Sequence, residues 1–307
     1  MILIGDIGGT NARLALAEAG TTEPLEVRHY AAADFPDFES VLAAYLAATG
    51  ADIEAGCLAV AGPIADDGRS ARLTNLPWTI DADALAARSR TGPLRLANDF
   101  AAAALGVTAA DPSSLVSLQT GVPLAGAPRL VVGAGTGLGM AILVPENGKF
   151  RVLPGEGGHV GFSPQDETQM RIHASLLAEH GRVTCEHVVS GPGLSAIHLL
   201  LAGESADPAD IGARALAEEA AARRSVDVFL GAYGAFAGDM AMACLSRGGV
   251  TLAGGIIDKL LPLLPESPFL TAFNAKAEHA GLARRMPIHA AIDPTLGLKG
   301  VALMTIA

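Results

Sequence analysis

Cysteine and lysine are scarce in this 307-residue chain, and their scarcity excludes whole classes of protein. The three cysteines, Cys57, Cys185 and Cys244, are odd in number, scattered and never in a Cys-x-x-Cys pair. That pattern speaks against a disulfide framework and a cysteine-held zinc, and suits a reducing compartment. Only four lysines occur, and the 21 basic residues face 32 acidic ones for a net charge of −11, with no basic run. A nucleic-acid surface is therefore not expected. Long apolar runs are missing too. The longest uncharged apolar stretch, around Leu130 to Pro145, is broken by glycines and falls short of the roughly 20 residues of a membrane span. The opening Met-Ile-Leu-Ile-Gly-Asp has no positive segment and meets an acid at position 6, so a signal peptide is not expected. The expectation is a soluble, cytoplasmic protein with no membrane partner.

Two nucleotide fingerprints are also absent. No G-x-x-x-x-G-K-[S/T] occurs, and Gly133 to Gly139 fails G-x-G-x-x-G because position 138 is Leu. A P-loop and a dinucleotide-binding Rossmann turn are thus unsupported. What the chain does have is 50% hydrophobic content. A chain of this size hides about three-quarters of its unfolded surface, at a length where one core commonly splits into two domains.

The chain is organised around Leu3-Ile4-Gly5-Asp6-Ile7-Gly8-Gly9-Thr10-Asn11. Met1 to Ile4 reads as a buried strand that stops at an acid and paired glycines, and Ala12 to Ala17 as a second strand. Asp-x-Gly-Gly-Thr then sits at a hairpin tip, where glycines admit positive φ and let backbone N–H groups approach an anion. Asp6 can hold a hydrated Mg²⁺, which takes few protein ligands. The same residues equally suit a plain Gly-Gly hairpin. Leu130 to Val144 repeats the plan of strand, Gly/Thr turn and strand. The separation of the two is far too long for a solenoid repeat and indicates two halves, each with a phosphate-binding hairpin.

Further strands are expected at Leu25–Tyr30, Gly56–Ala61, Ser70–Asn75, Leu94–Ala97, from Val250 and over Pro287–Ile292. Helices are expected at Phe38–Thr49 closing on Gly50, Asp81–Arg88 with Asp81 as N-cap, Phe100–Leu105, Gln165–Gly181, Val188–Leu201, Asp210–Leu245 and Pro294–Ile306. Residues 109–129, rich in Pro, Ser, Thr and Gly, read as a boundary segment. Phe229, Tyr233, Phe236 and Met240 share one helix face and are expected in the core. The order of elements predicts a mixed α/β protein.

Six segments carry a resemblance: Asp6-Ile7-Gly8-Gly9-Thr10-Asn11, Leu96-Ala97-Asn98-Asp99-Phe100, Gly133 to Gly139, Leu153-Pro154-Gly155-Glu156-Gly157-Gly158-His159, Ser190-Gly191-Pro192-Gly193 and Leu252-Ala253-Gly254-Gly255-Ile256. In this order they resemble the bacterial glucokinases over essentially the whole chain. The resemblance implies an α/β, two-domain actin-like ATPase (ribonuclease H-like) fold with a cleft between domains. It implies a small domain over 1–109, with the C-terminal helix 294–307 packing back on it, and a large domain over 110–293. It further implies ATP-dependent phosphorylation of D-glucose to glucose 6-phosphate, with sugar-driven closure that expels water, and a homodimer.

By the same resemblance Asp99 is the general base that accepts the proton of the attacking hydroxyl. Read alone, Asn98 or Asp99 could equally cap the helix that follows. Asn98, Asp99, Glu156, His159 and Glu186 would bind the sugar, carboxylates accepting and imidazole donating or accepting. A misplaced hydroxyl would then leave a buried carboxylate unpaired, which discriminates strongly. Gly8, Gly9, Thr10 and Asn11 would face the β- and γ-phosphates of ATP, with Thr136 and Gly137 opposite. Gly254 and Gly255 would lie along the adenosine, and Asp6 would organise Mg²⁺. The chain lacks the C-x-C-G-x-x-G-C-x-E motif that accompanies a zinc-binding His in relatives, so zinc at His159 is not expected. Trp78 stands near the sugar side by resemblance, or in the core. Gly161, where relatives often carry an acid, leaves sugar preference open. A kinase for fructose or mannose, or a sugar sensor without catalysis, are the rival readings. Retention of Asp6 and Asp99 counts against the sensor.

Overall fold

The computed structural model describes residues 1–74 and 76–306; Asn75, the last residue of the strand expected from Ser70, and Ala307 lie outside them. The chain divides into two compact units, Met1–Pro112 with Asp293–Ala307, and Ser113–Ile292.

The first unit opens with β1 (Ile2–Ile7), β2 (Asn11–Ala17) and β3 (Leu25–Ala31), a meander in which each strand runs antiparallel to the next. Helix α1 (Phe38–Thr49) follows, capped by Asp37, whose carboxylate accepts from Ser40 N–H at 2.8 Å, and closed by Gly50 at φ 62°. Strand β4 (Ala55–Val60), the ribbon of β5 (Ser70–Arg72) and β6 (Thr79–Asp81), helix α2 (Ala82–Ser89), strand β7 (Leu94–Asn98) and helix α3 (Asp99–Gly106) complete its N-terminal part. The sheet runs β3-β2-β1-β4-β7, with β1, β4 and β7 parallel.

Strands buried on both faces need no polar alternation, and β4 here is continuously apolar, as β1 is up to Gly5. Leu3, Ile7 and Leu58 pack with Val41, Leu42 and Tyr45 of α1 on one face. Ile4, Cys57 and Ala59 pack on the other with Ala102, Leu298 and Val301, which places the terminal helix Leu296–Ile306 against this sheet. Glycines stand where α3 and the terminal helix cross, because their backbones are in contact there. A side-chain carbon at Gly300 would run into the Ala102 carbonyl, and one at Gly106 into the Leu296 carbonyl. Trp78 is only 3% exposed, with its ring 6.4 Å from that of Phe38. It is a core residue.

The second unit restates the plan. Strands β8 (Leu115–Gln119), β9 (Arg129–Ala134), β10 (Leu138–Glu146) and β11 (Lys149–Gly155) are followed by helices α4 (Glu167–His180), α5 (Gly191–Ala202), α6 (Pro208–Leu216) and α7 (Ala220–Ala243). Strand β12 (Gly249–Ala253), helices α8 (Gly255–Leu260), α9 (Phe269–Asn274) and α10 (Ala280–Ala283), and strand β13 (Ile288–Ala291) close it, and the terminal helix is α11. The sheet order is β11-β10-β9-β12-β13-β8: an antiparallel meander β9-β10-β11, then β9, β12 and β13 in parallel. Phe229 and Tyr233 are fully buried and Phe236 nearly so, while Met240 packs at the edge of the same core.

Four local features differ from the sequence reading. Residues 109–129 contain β8, an edge strand whose partner β13 lies at the far end of the unit. The hairpin strand β11 was not expected, although Asn147-Gly148, both at positive φ, is a strong hairpin signal. The long helical stretch from Asp210 breaks at Glu218, φ 62°. Helix α5 begins at Gly191, where the Ser190 hydroxyl caps Gly193 N–H at 3.2 Å. Among the described residues no helix is long and apolar enough to cross a membrane.

Candidate active site

Parallel strands leave their C-terminal ends open for ligands, and nearly every chemically active group singled out above stands at such an end. In the first unit, β1 delivers Asp6 and the turn Gly8-Gly9-Thr10. Gly8 N–H donates to Asn11 O at 2.9 Å, and the Asn11 amide donates to the Thr10 hydroxyl at 3.0 Å. Neither Gly8 nor Gly9 adopts a positive φ, so the turn does not use the left-handed freedom expected of it. A carbon on Gly8 would meet nothing nearer than Asn11 O at 3.5 Å, which leaves one face of the backbone open.

The Asp6 side chain is 20% exposed and lies 3.7 Å from Arg13, its cross-strand partner. Burial pushes its carboxyl above the usual range, and the Arg13 guanidinium partly offsets this. Arg13 is itself held by Pro294 O at 2.6 Å. A side-chain carbon at Gly297, in the first turn of α11, would lie 2.8 Å from Asp6 Oδ2. Glycine there gives the carboxylate its room, a dependence no local sequence signal announces.

Strand β7 ends at Asn98 and α3 starts at Asp99. Asn98 is the cap, its Oδ1 accepting from Ala101 N–H at 2.9 Å. Asp99 Oδ1 accepts from Phe100 N–H at 2.8 Å. The structural role left open between these two residues therefore falls to Asn98, with Asp99 held beside it in the first turn.

In the second unit, β9 delivers the turn Gly135-Thr136-Gly137. Gly135 N–H donates to Gly137 O, and Gly135 O accepts from Gly191 N–H, both at 2.8 Å. Gly254 follows β12 at φ 94°, and a side-chain carbon on it would stand 2.6 Å from Ala134 O. Glu156 and His159 flank a short turn beyond β11. Both are exposed, with His159 Nε2 and Glu156 Oε2 3.9 Å apart, while Gly157 and Gly158 between them are buried. Glu186 reaches the glycine turn, where its Oε2 accepts from Leu138 N–H at 2.7 Å. Next to it, His187 Nδ1 accepts from Thr184 N–H at 3.2 Å, and its ring stacks on His180 at 4.3 Å. Burial first, and then His180, hold the His187 imidazole below its usual range.

The first unit thus carries Asp6, Gly8 to Asn11, Asn98 and Asp99. The second carries Thr136, Gly137, Glu156, His159, Glu186, Gly254 and Gly255. A Ser225–His198–Glu204 line in the second unit imitates a hydrolase triad at 3.0 and 3.2 Å. Ser225 and His198 are fully buried, so no substrate reaches them. Among the described residues no group of three or more His, Cys, Asp or Glu side chains could hold a metal. A single strand-end carboxylate such as Asp6 still fits Mg²⁺, an ion that keeps several waters and takes further ligands from a substrate's phosphates.

Two mixed-sheet units, each containing a glycine-turned hairpin next to parallel strands, define the two-domain actin-like ATPase fold. The glucokinase family model matches residues 3–306. A glucokinase of Stenotrophomonas maltophilia (strain K279a) is 38% identical over 315 residues, covering 98% of this chain and 93% of that one. A glucokinase of Nostoc punctiforme is 35% identical, covering 99% and 98%. A crystal structure of a glucokinase from an Antarctic psychrotroph superposes with a TM-score of 0.86 at 29% identity, covering 100% and 99%. The chain belongs to the glucokinase family.

Proposed function

We propose that the protein transfers the γ-phosphoryl group of ATP to D-glucose, giving glucose 6-phosphate. The observation that carries this reading is that each unit, taken by itself, sets acids, an amide or glycine turns at its strand ends, in a chain of this family. Asp99 accepts the proton of the sugar's 6-hydroxyl as its oxygen attacks phosphorus, and Asn98 holds the same hydroxyl. Glu156, His159 and Glu186 take the ring hydroxyls. The turns at Gly8 to Asn11 and at Thr136 and Gly137 face the phosphates with their backbone N–H groups, that of Gly8 excepted because it donates to Asn11 O, so neutralisation does not depend on lysine. Gly254 and Gly255 leave room along the adenosine. Asp6 would hold Mg²⁺, which when bound neutralises charge on the phosphates. Cytoplasmic location and a homodimer belong to the same reading and rest on the family alone.

The test is the initial rate of MgATP-dependent phosphorylation across glucose, mannose, fructose, glucosamine and N-acetylated hexosamines. A clear preference for glucose is expected. Preference for another hexose would keep the chemistry and overturn the substrate. No turnover of any sugar by folded protein would overturn the reading.

A further inference from the structure

Three separate segments of the second unit meet at Leu138, the residue that leaves the glycine turn and starts β10. Glu186 Oε2 accepts from Leu138 N–H at 2.7 Å. Glu186 N–H donates to Gly158 O at 2.9 Å, in the loop that carries Glu156 and His159. Gly158 in turn packs on Leu138, where a side-chain carbon would collide with the Leu138 carbonyl oxygen. Gly137 completes the fit, since a carbon there would stand 2.5 Å from Glu186 Oε2. Glycine at 137 leaves the carboxylate its place: its φ is unexceptional, so a side chain there would displace Glu186 Oε2 rather than strain the backbone. Among the described residues, no donor is bonded to Glu186 Oε1.

We infer that Glu186 is a positioning residue for the phosphate turn as well as a sugar ligand. Oε2 holds Leu138 N–H and with it Thr136 and Gly137, while Oε1 is presented to a sugar hydroxyl. One side chain then sets the geometry of both substrates. The inference rests on the sugar role proposed for Glu186 above. The two oxygens can be separated chemically. In Glu186→Gln the amide oxygen still accepts from Leu138 N–H, but the group offered to the sugar becomes a donor. In Glu186→Ala both functions go, and a backbone N–H next to the phosphates loses its partner. Glu186→Asp keeps the charge but is one methylene too short to serve both ends.

The experiment measures MgADP dissociation constants by calorimetry without sugar, alongside glucose KM and kcat, for the wild type and Glu186→Gln, Glu186→Ala and Glu186→Asp. Loss of a charge-assisted hydrogen bond that orients the turn should weaken MgADP about tenfold in Glu186→Ala and Glu186→Asp. Glu186→Gln should stay within twofold of wild type for MgADP while glucose KM rises about tenfold or more. Glu156→Gln, an exposed group with no bond to the turn, should move glucose KM alone. Wild-type MgADP affinity in Glu186→Ala would overturn the positioning role; if that variant does not fold, wild-type MgADP affinity together with unchanged glucose KM in Glu186→Asp would overturn it, because the shorter side chain cannot serve both ends. Unchanged glucose KM in all three, with MgADP weakened as expected, would instead overturn the sugar assignment and leave the positioning role standing.

Discussion

Asp99→Asn changes one charge and almost no volume, so its structural and chemical costs can be worked out separately. The Asn side chain retains an Oδ1 to accept from Phe100 N–H, a bond of 2.8 Å in the native chain, and Asn98 still caps α3. Removing a negative charge from the first helical turn accounts for about 0.3–1 kcal/mol of what the fold loses. At ~2–4 °C per kcal/mol this lowers Tm by roughly 1–4 °C. On the role proposed for Asp99 the reaction loses its general base, about 10²- to 10⁴-fold in kcat, or ~2.7–5.5 kcal/mol at 1.36 kcal/mol per tenfold. The chemical effect should therefore exceed the structural one several-fold. Coupled detection of ADP at saturating glucose and MgATP gives kcat, and calorimetry gives Tm. A variant with kcat within about threefold of wild type would refute the assignment of Asp99 as base. A collapse of Tm would mean that its role is structural.

Two further outcomes follow from the same geometry. Gly300→Ala forces a carbon against the Ala102 carbonyl at the crossing of α3 and α11, and should destabilise the fold by about 1–3 kcal/mol or more; an unchanged urea midpoint would contradict the close crossing. His187 is held below its usual pKa in the folded state, so the unfolded chain binds the proton more readily. The stability it contributes is present above the unfolded value of about 6.5 and is lost as pH falls through the lower folded value. His187→Asn offers Oδ1 in place of Nδ1 to Thr184 N–H and does not titrate. Its Tm should fall less than that of the wild type between pH 7.5 and 5.5, and equal falls would remove His187 from the account.

The sequence by itself determined whatever depends on neighbours a few residues apart. The alternation of glycine turns with apolar runs set both hairpins. Asp81 and Gly50 set helix ends through a single side chain or a single φ. The order of six short segments identified the family. Tertiary structure decided whatever depends on residues distant in the chain. Strand β8 exists because β13 supplies its hydrogen bonds, and its own five residues, Leu-Val-Ser-Leu-Gln, carry no strong period. Trp78 went to the core because Phe38 and the face of α1 are there to receive it. The glycines at 137, 297 and 300 look interchangeable in sequence, yet each lies against a different distant atom: a Glu186 carboxylate, an Asp6 carboxylate and an Ala102 carbonyl. Turn chemistry is encoded within a few residues. Close approach of a backbone to another backbone or to a partly buried acid is a property of two segments at once, and it exists only when the chain has folded.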